Sequence, residues 1–242
     1  MTHNTTTTVR ELAVCEPTAT RVFEKLKIDY CCGGARTLGV ACAVAGVKTD
    51  DVWKLLEEVG QTASSETIDF QTASLTELVK HILDKHHVFT KEEMERLDAL
   101  TEKVCSVHGQ NHPELLRVKS LFQSLCVDLK PHMFKEEQVL FPYIIRLEEA
   151  VSRKQTPMPP PFGTVRNPVR MMMFEHDTAG ELLRELREAT SDYTMPADAC
   201  ISYRTLYQAM EAFEQDLHQH IHLENNILFP RAVEMESLVN SV

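Results

Sequence analysis

Two copies of one motif carry a histidine and a glutamate four residues apart, each followed by Leu-Phe-Pro. The first copy contains His132 and Glu136, the second contains His220 and Glu224, and the same offset of 88 residues separates the two Leu-Phe-Pro triplets. An α-helix turns once in about 3.6 residues, so side chains at i and i+4 lie on one face and can reach one ion. The two pairs can therefore meet in the interior of a single helical bundle.

Further histidines extend the repeat. His176 lies 44 residues before His220, and the equivalent position before His132 falls next to His87, which has His86 beside it. The apolar periodicity does not decide which of these two adjacent histidines is the ligand, while the offset slightly favours His87. Four imidazoles and two carboxylates form a mixed nitrogen and oxygen donor set. Such a set suits iron or manganese better than structural zinc, which prefers four closed ligands.

Two glutamates on the buried faces of helices would be costly without a cation, so the pattern predicts a metal site, most simply one with two ions. If Glu136 and Glu224 both bridge, each ion has four protein bonds, and a bridging oxo or hydroxo group makes five. One octahedral position per ion then stays open. An open dinuclear site of this kind can bind O2, NO or peroxide.

Carboxylates outside the ligand set commonly hold the second nitrogen of a ligand imidazole and fix its orientation. Two acidic residues are candidates for this role: Asp128 precedes His132 by one helical turn, and Glu175 directly precedes His176. Histidines that fall off the repeat are instead predicted to lie at the surface, and these are His81, His218 and His222.

A second unusual segment contains the adjacent cysteines Cys31 and Cys32, preceded by Asp29 and Tyr30 and followed by two glycines. The Cα atoms of adjacent residues are about 3.8 Å apart, below the usual disulfide range, which favours two thiols over a bridge. The pair could bind metal, receive NO or dock a partner, or it could only pack in a turn that needs glycine. The remaining cysteines are interpreted as small buried or half-buried residues, namely Cys15, Cys42, Cys105, Cys126 and Cys200.

Composition limits the classes of function. The chain has 242 residues and a formal charge of −11, and its basic residues are scattered, which argues against a nucleic-acid or anionic-membrane partner. No apolar run approaches the roughly 18 residues of a membrane helix, and the N-terminus lacks the basic and apolar regions of a leader. An odd number of cysteines, seven, fits a reducing compartment, so we expect a cytoplasmic protein.

The apolar periodicity predicts an all-α chain in three parts. A small helical domain spans residues 1–62, a linker rich in Ser and Thr spans 63–74, and a helical bundle spans 75–242. Within the first part, residues 1–8 are predicted to be a frayed tail. Four short helices are predicted over residues 9–14, 18–26, 38–45 and 50–59.

Four long amphipathic helices follow, and an antiparallel four-helix bundle with the ligands at its midline is the natural arrangement for them. The first is predicted to span about residues 75–107. The second is predicted to begin at about residue 113, the third near 168 and the fourth after 196. Pro131 lies inside the second helix, directly before His132, and predicts a kink there. Pro142 and Pro230 are predicted to bend or end their helices.

These motifs are similar to those of hemerythrin-like, HHE-type di-iron proteins, and more closely to those of the RIC family, named for repair of iron centres. The segment from Asp29 to Gly34 resembles that family's N-terminal signature, and the two His/Glu motifs with Leu-Phe-Pro resemble its bundle; Pro131 departs from the pattern. The resemblance covers nearly the whole chain and implies two non-haem iron ions bridged by the glutamates. It also selects His87 over His86. The implied ligands are His87, His132, Glu136, His176, His220 and Glu224.

The resemblance further implies a protein that restores iron-sulfur clusters damaged by nitric oxide or oxidants. It would act by donating iron or by binding NO and reducing it to N2O. The implied partners are NO or O2, damaged iron-sulfur proteins or an apo-cluster scaffold, and an electron donor, with a homodimer left open. An alternative is a reversible O2 or NO carrier or sensor without turnover. A third hypothesis is a structural metal bundle whose thiol pair, Cys31 and Cys32, docks a partner.

Overall fold

A computed structural model describes residues 6–16, 18–62, 69–155 and 157–239 of the chain, without the side chains of residues 60–62. The described elements are helices, and the described residues contain no β-strand beyond one isolated bridge between Thr8 and Thr37. The all-α prediction is confirmed. Residues 63–68 lie outside the described residues, so the bounds of the linker stay a prediction. None of the described helices has both the length and the apolar character to cross a membrane.

Four helices form the N-terminal part and enclose an apolar core of their own, which includes Phe23 and Trp53. Thr8 caps the first helix through a reciprocal pair of hydrogen bonds with Glu11. Thr7 accepts a backbone hydrogen bond from Leu38, so the predicted frayed tail is wrong for Thr7 and Thr8. The helices are α1 (Val9–Cys15), α2 (Ala19–Leu26), α3 (Leu38–Ala45) and α4 (Thr49–Thr62).

Four long helical runs form the bundle. The first joins α5 (Leu75–His81) to α6 (Val88–His108), and the second joins α7 (Glu114–Lys135) to α8 (Phe141–Ser152). The third is α9, and the fourth joins α10 to α11. Their bounds are α9 (Arg166–Ala189), α10 (Ile201–Leu223) and α11 (Phe229–Val239).

Two apolar clusters fill the bundle, one at each end. The upper cluster includes Leu97 and Phe213, and the lower cluster includes Leu78 and Phe229. Along the first and third runs the chain passes from the lower to the upper cluster, and along the second and fourth it passes back. Successive runs are therefore antiparallel, as predicted. The polar ligand residues lie on all four runs at the level between the two clusters.

Three runs contain a short π-helical segment at this level. A π turn carries an i to i+5 hydrogen bond and widens the helix, and it is frequently found at functional sites. Each segment begins or ends at one of the predicted ligands. The segments are Ile82–His87, Glu136–Leu140 and Glu224–Leu228.

Two of the π segments end at the leucine of the repeated Leu-Phe-Pro triplet. Pro142 has no N–H, so the carbonyl four residues earlier cannot receive its usual helical hydrogen bond. The N–H of the residue before it, Phe141, bonds to the carbonyl of Glu136, five residues back. In the second copy Phe229 bonds in the same way to Glu224.

The prolines do not end the helices. α8 and α11 continue beyond Pro142 and Pro230, so termination at these residues was wrong. Pro131 lies within α7, which remains helical through Lys135. Its position on the exposed face lets water satisfy the carbonyl that the proline leaves without a partner.

The N-terminal helices dock against the end of α10 and the π segment that follows. Asn226 donates to the carbonyl of Tyr30 at 2.9 Å and accepts from Nε of Arg10 at 2.7 Å. His222 packs edge-on against the ring of Tyr30 and is 3% exposed. Burial lowers its pKa to about 4. The predicted surface position of His222 is therefore wrong, because the N-terminal domain covers this face, while His81 and His218 are half-buried.

Candidate metal centre

The six predicted ligands converge at the midline of the bundle. None of these residues is more than 2% exposed, and both glutamates are fully buried. They come from all four helical runs, which explains why residues so far apart in sequence can share one site. The set is His87, His132, Glu136, His176, His220 and Glu224.

The donor atoms fall into two overlapping groups, each able to hold one metal ion. One group contains His87 and His220, the other contains His132 and His176, and both contain the same two glutamates. The two oxygens of Glu224 face different groups: Oε1 lies 3.0 Å from Nε2 of His220, and Oε2 lies 3.2 Å from Nε2 of His176. This arrangement places each glutamate within reach of two ions.

The second group has the spacing that a metal ion requires. Nε2 of His132 lies 3.0 Å from Nε2 of His176 and 3.4 Å from Oε2 of Glu136. Metal–ligand bonds of about 2.1 Å place neighbouring ligands of an octahedral ion about 3.0 Å apart. The observed distances fit this requirement.

Several buried donor atoms have no hydrogen-bond partner, which also fits a metal site. They include Nε2 of His87, both carboxylate oxygens of Glu136 and Oε2 of Glu224. Leaving such groups unpaired in the interior costs about 1–3 kcal/mol each, and more when they are charged. A pair of cations would satisfy all of them at once.

The second ring nitrogen of two ligand imidazoles is held by the residue that follows each repeated glutamate. Oε1 of Glu137 lies 2.7 Å from Nδ1 of His87, and Oδ1 of Asn225 lies 2.9 Å from Nδ1 of His176. These oxygens can only accept, so Nδ1 carries the proton and the Nε2 lone pair points into the site. Sequence reasoning missed both residues, although their shared place in the repeat was a usable signal.

Glu175 was predicted as an orienting carboxylate beside His176, but it holds His132 instead. Its Oε2 accepts from Nδ1 of His132 at 2.8 Å, and its other oxygen binds Lys135. The hydrogen bond from His132, together with Lys135, lowers the pKa of Glu175 to about 2. Asp128 was predicted for this role and is solvent-exposed, so that prediction is wrong.

His220 is oriented differently from the other three. Its Nδ1 is buried without a hydrogen-bond partner, and its ring stacks on that of His86 at 5.7 Å. Nδ1 of His86 lies 3.0 Å from both oxygens of Asp216. His86 and Glu175 each directly precede a ligand in the chain and contact a ligand on another helix. His86 packs on the ring of His220, whereas Glu175 hydrogen-bonds to His132. The structure places His87, and not His86, among the converging donors.

The buried carboxylates attract positive charge to the site. Burial lowers the pKa of His87, but attraction to the nearby carboxylates of Glu136 and Glu224 outweighs it and raises that pKa to about 10. The pKa of His176 is likewise raised to about 9, against burial, chiefly by Glu224. Without metal these imidazoles hold protons, so metal binding must displace them.

Cys31 and Cys32 lie outside the two groups of donor atoms but contact helical segments that carry ligands. Sγ of Cys32 approaches the carbonyl oxygen of His176 at 3.6 Å, and Nδ2 of Asn225 donates to the carbonyl of Cys31 at 3.4 Å. All seven cysteines are free thiols. Cys15 and Cys200 are exposed, which corrects the expectation that they are buried or half-buried.

Comparison with known proteins identifies the family. Residues 78–232 match the model of the hemerythrin HHE cation binding domain, and residues 5–60 match ScdA_N, described as a domain of unknown function. The chain is 36% identical to a probable iron-sulfur cluster repair protein of Haemophilus influenzae, over 92% of this chain and 95% of that protein.

Two further relatives carry the same description. The iron-sulfur cluster repair protein YtfE of Dickeya chrysanthemi is 36% identical over 93% of this chain and 96% of its own length. Its counterpart in Yersinia pseudotuberculosis is 34% identical over the same shares. The hemerythrin HHE domain binds a di-iron centre, and the two groups of donors described above fit one. The chain therefore belongs to the hemerythrin HHE family and, within it, to the iron-sulfur cluster repair proteins.

Proposed function

We propose that this protein repairs iron-sulfur clusters damaged by nitrosative or oxidative stress, with damaged iron-sulfur proteins or an apo-cluster scaffold as its targets. The names of its relatives support this function. The observation that carries it is the pair of overlapping donor groups that share both buried glutamates. Free thiols at all seven cysteines support action in a reducing compartment such as the cytoplasm.

We assign the six converging residues as the iron ligands, with Glu136 and Glu224 bridging the two ions. Bound iron would supply an exchangeable coordination position and electrons for chemistry on a small diatomic molecule. The surrounding residues keep the donors in place. Glu137, Glu175 and Asn225 hold the Nδ1 protons of three imidazoles, so that their Nε2 lone pairs stay directed at the metals.

Two routes to repair follow from such a centre. Iron can leave it as cargo for a cluster that has lost metal. Alternatively the centre can remove NO at source, in a reaction that consumes two NO, two electrons and two protons and yields N2O and water. The second route needs an external electron donor, and we propose a reductase for it.

The test combines metal analysis with a repair assay. Protein purified without added metal should contain two irons per chain. It should also restore activity to a [4Fe–4S] hydro-lyase inactivated by NO or peroxide. Glu136→Gln should lose iron and repair together, whereas Asp128→Asn, an exposed acid on the same run, should keep both. Repair by a Glu136→Gln protein that has lost its iron would refute the proposal.

The deep burial of the ligands favours one alternative, a reversible O2 or NO carrier or sensor. Every ligand residue is at most 2% exposed, which admits a diatomic molecule more readily than contact with another protein's cluster. An anaerobic NO titration with a reductant separates the hypotheses. Stoichiometric, reversible binding without N2O, together with no recovery of the hydro-lyase, supports the carrier. Formation of N2O or recovery of the hydro-lyase supports repair.

A further inference from the structure

Three side chains of the N-terminal loop form a compact donor set separate from the bundle ligands. Donor atoms of Asp29, Cys31 and Cys32 all lie within 4.8 Å of one another. We propose that these residues form a second metal site, which binds one thiophilic divalent cation such as Fe²⁺, Zn²⁺ or Co²⁺. This site does not depend on the repair function proposed above.

The distances within the set are those of a tetrahedral site. Sγ of Cys31 and Sγ of Cys32 are 3.8 Å apart, far beyond a disulfide bond. Metal–sulfur bonds of about 2.3 Å at the tetrahedral angle place two sulfurs about 3.8 Å apart. Sγ of Cys31 lies 3.5 Å from Oδ1 of Asp29. A metal–oxygen bond of about 2.1 Å predicts a sulfur–oxygen distance of about 3.6 Å.

The loop is built to hold this arrangement. The backbone N–H of Cys32 donates to Oδ1 of Asp29 at 3.0 Å, which fixes the carboxylate beside the thiols. A Cβ at Gly33 would lie 2.9 Å from Oδ2 of Asp29, so only glycine allows this approach without a shift. From the bundle, Asn225 donates a hydrogen bond to the carbonyl of Cys31, and Asn226 donates one to the carbonyl of Tyr30.

The site opens to solvent on one side and touches the bundle on the other. A cavity of about 520 Å³ is lined by Asp29, both cysteines and the α9 residues Asp177 and Gly180. Three protein ligands leave a fourth tetrahedral position free for water or another ligand, so the cation can exchange. Two thiolates select a thiophilic ion over Mg²⁺ or Ca²⁺. Binding releases the two thiol protons to solvent and requires no change of oxidation state.

The experiment uses the full chain with its bundle iron in place and titrates it with Co²⁺. We expect one additional Co²⁺ per chain, a thiolate-to-cobalt charge-transfer band in the near ultraviolet, and protection of Cys31 and Cys32 from alkylation. The Cys31→Ser, Cys32→Ser variant should lose the band. Loss of an orienting partner alone costs about 10- to 100-fold in metal affinity, so loss of a ligand should cost at least as much.

Two further variants make the outcome decisive. Cys15→Ser, an exposed thiol of the same domain, should bind Co²⁺ as the unaltered protein does. Asp29→Asn keeps both thiols and should retain the band with weaker affinity, which covers the case in which the double variant fails to fold. Equal uptake of Co²⁺ by the unaltered protein and the folded double variant would overturn the proposal, as would the absence of a charge-transfer band in the unaltered protein.

Discussion

Glu175 accepts a hydrogen bond from Nδ1 of His132 at 2.8 Å, although the two residues lie on different helices and Glu175 is the chain neighbour of His176. Consecutive residues of a helix point about 100° apart, so a residue next to a ligand faces the adjacent helix. The same relationship joins Glu137 to His87. Each of these imidazoles is thus oriented from a helix other than its own.

Substitution of Glu175 by Gln should weaken metal binding without removing a ligand. The amide can still accept from Nδ1, but it loses the negative charge that makes the imidazole more basic, and we expect a loss of about tenfold or more in metal affinity. The measurement is competition with a chelator. Glu188→Gln, an exposed position on the same helix, serves as the control and should match the unaltered protein. Equal affinity in all three proteins would rule out an orienting role.

Because both donor groups share the glutamates, we expect variants of a glutamate and of a histidine ligand to retain different numbers of irons per chain. Glu136 belongs to both donor groups, so Glu136→Gln should deplete both irons. His87 belongs to one group, so His87→Ala should mainly lose the iron held with His220 and retain the other. Iron analysis of the purified variants checks this. If Glu136→Gln retains one full iron, that glutamate does not bridge.

The sequence was sufficient for the bundle and its ligands because the repeat fixes both spacing and residue type. Apolar periodicity alone could not separate His86 from His87, since both histidines are buried and only their partners differ, whereas the offset of the repeat and the family resemblance selected His87. The error at Asp128 arose because spacing along one helix cannot show which neighbouring helix supplies an acceptor. His222 was misjudged because a separate domain covers its face of α10.

Asn226 should contribute to docking of the N-terminal domain. Its side chain bonds to Arg10, to the carbonyl of Tyr30 and to His222, so Asn226→Leu leaves buried polar groups without partners. We expect the free energy of unfolding to fall by roughly 1–3 kcal/mol. Urea unfolding measures this loss. Faster alkylation of the buried Cys31 would show that the docking has loosened, and an unchanged rate would show that the loss lies elsewhere.

His112 should make the stability of the upper end of the bundle depend on pH. Its Nε2 lies 3.1 Å from Asp198 and its Nδ1 lies 2.9 Å from Glu114, and both carboxylates raise its pKa. Only the protonated ring can donate to both partners. Because the folded pKa is raised above the usual value near 6.5, the contribution of His112 to stability is fully present below about pH 6.5 and is lost as pH rises through the folded pKa.

The melting temperature of His112→Gln should therefore fall furthest below that of the unaltered protein near pH 6 and approach it in alkaline buffer. Metal-linked effects cancel in this difference because both proteins keep the same bundle ligands. Asp198→Asn should also lower the melting temperature more near pH 6 than in alkaline buffer. A difference in melting temperature between His112→Gln and the unaltered protein that stays constant across the pH range would contradict the assignment.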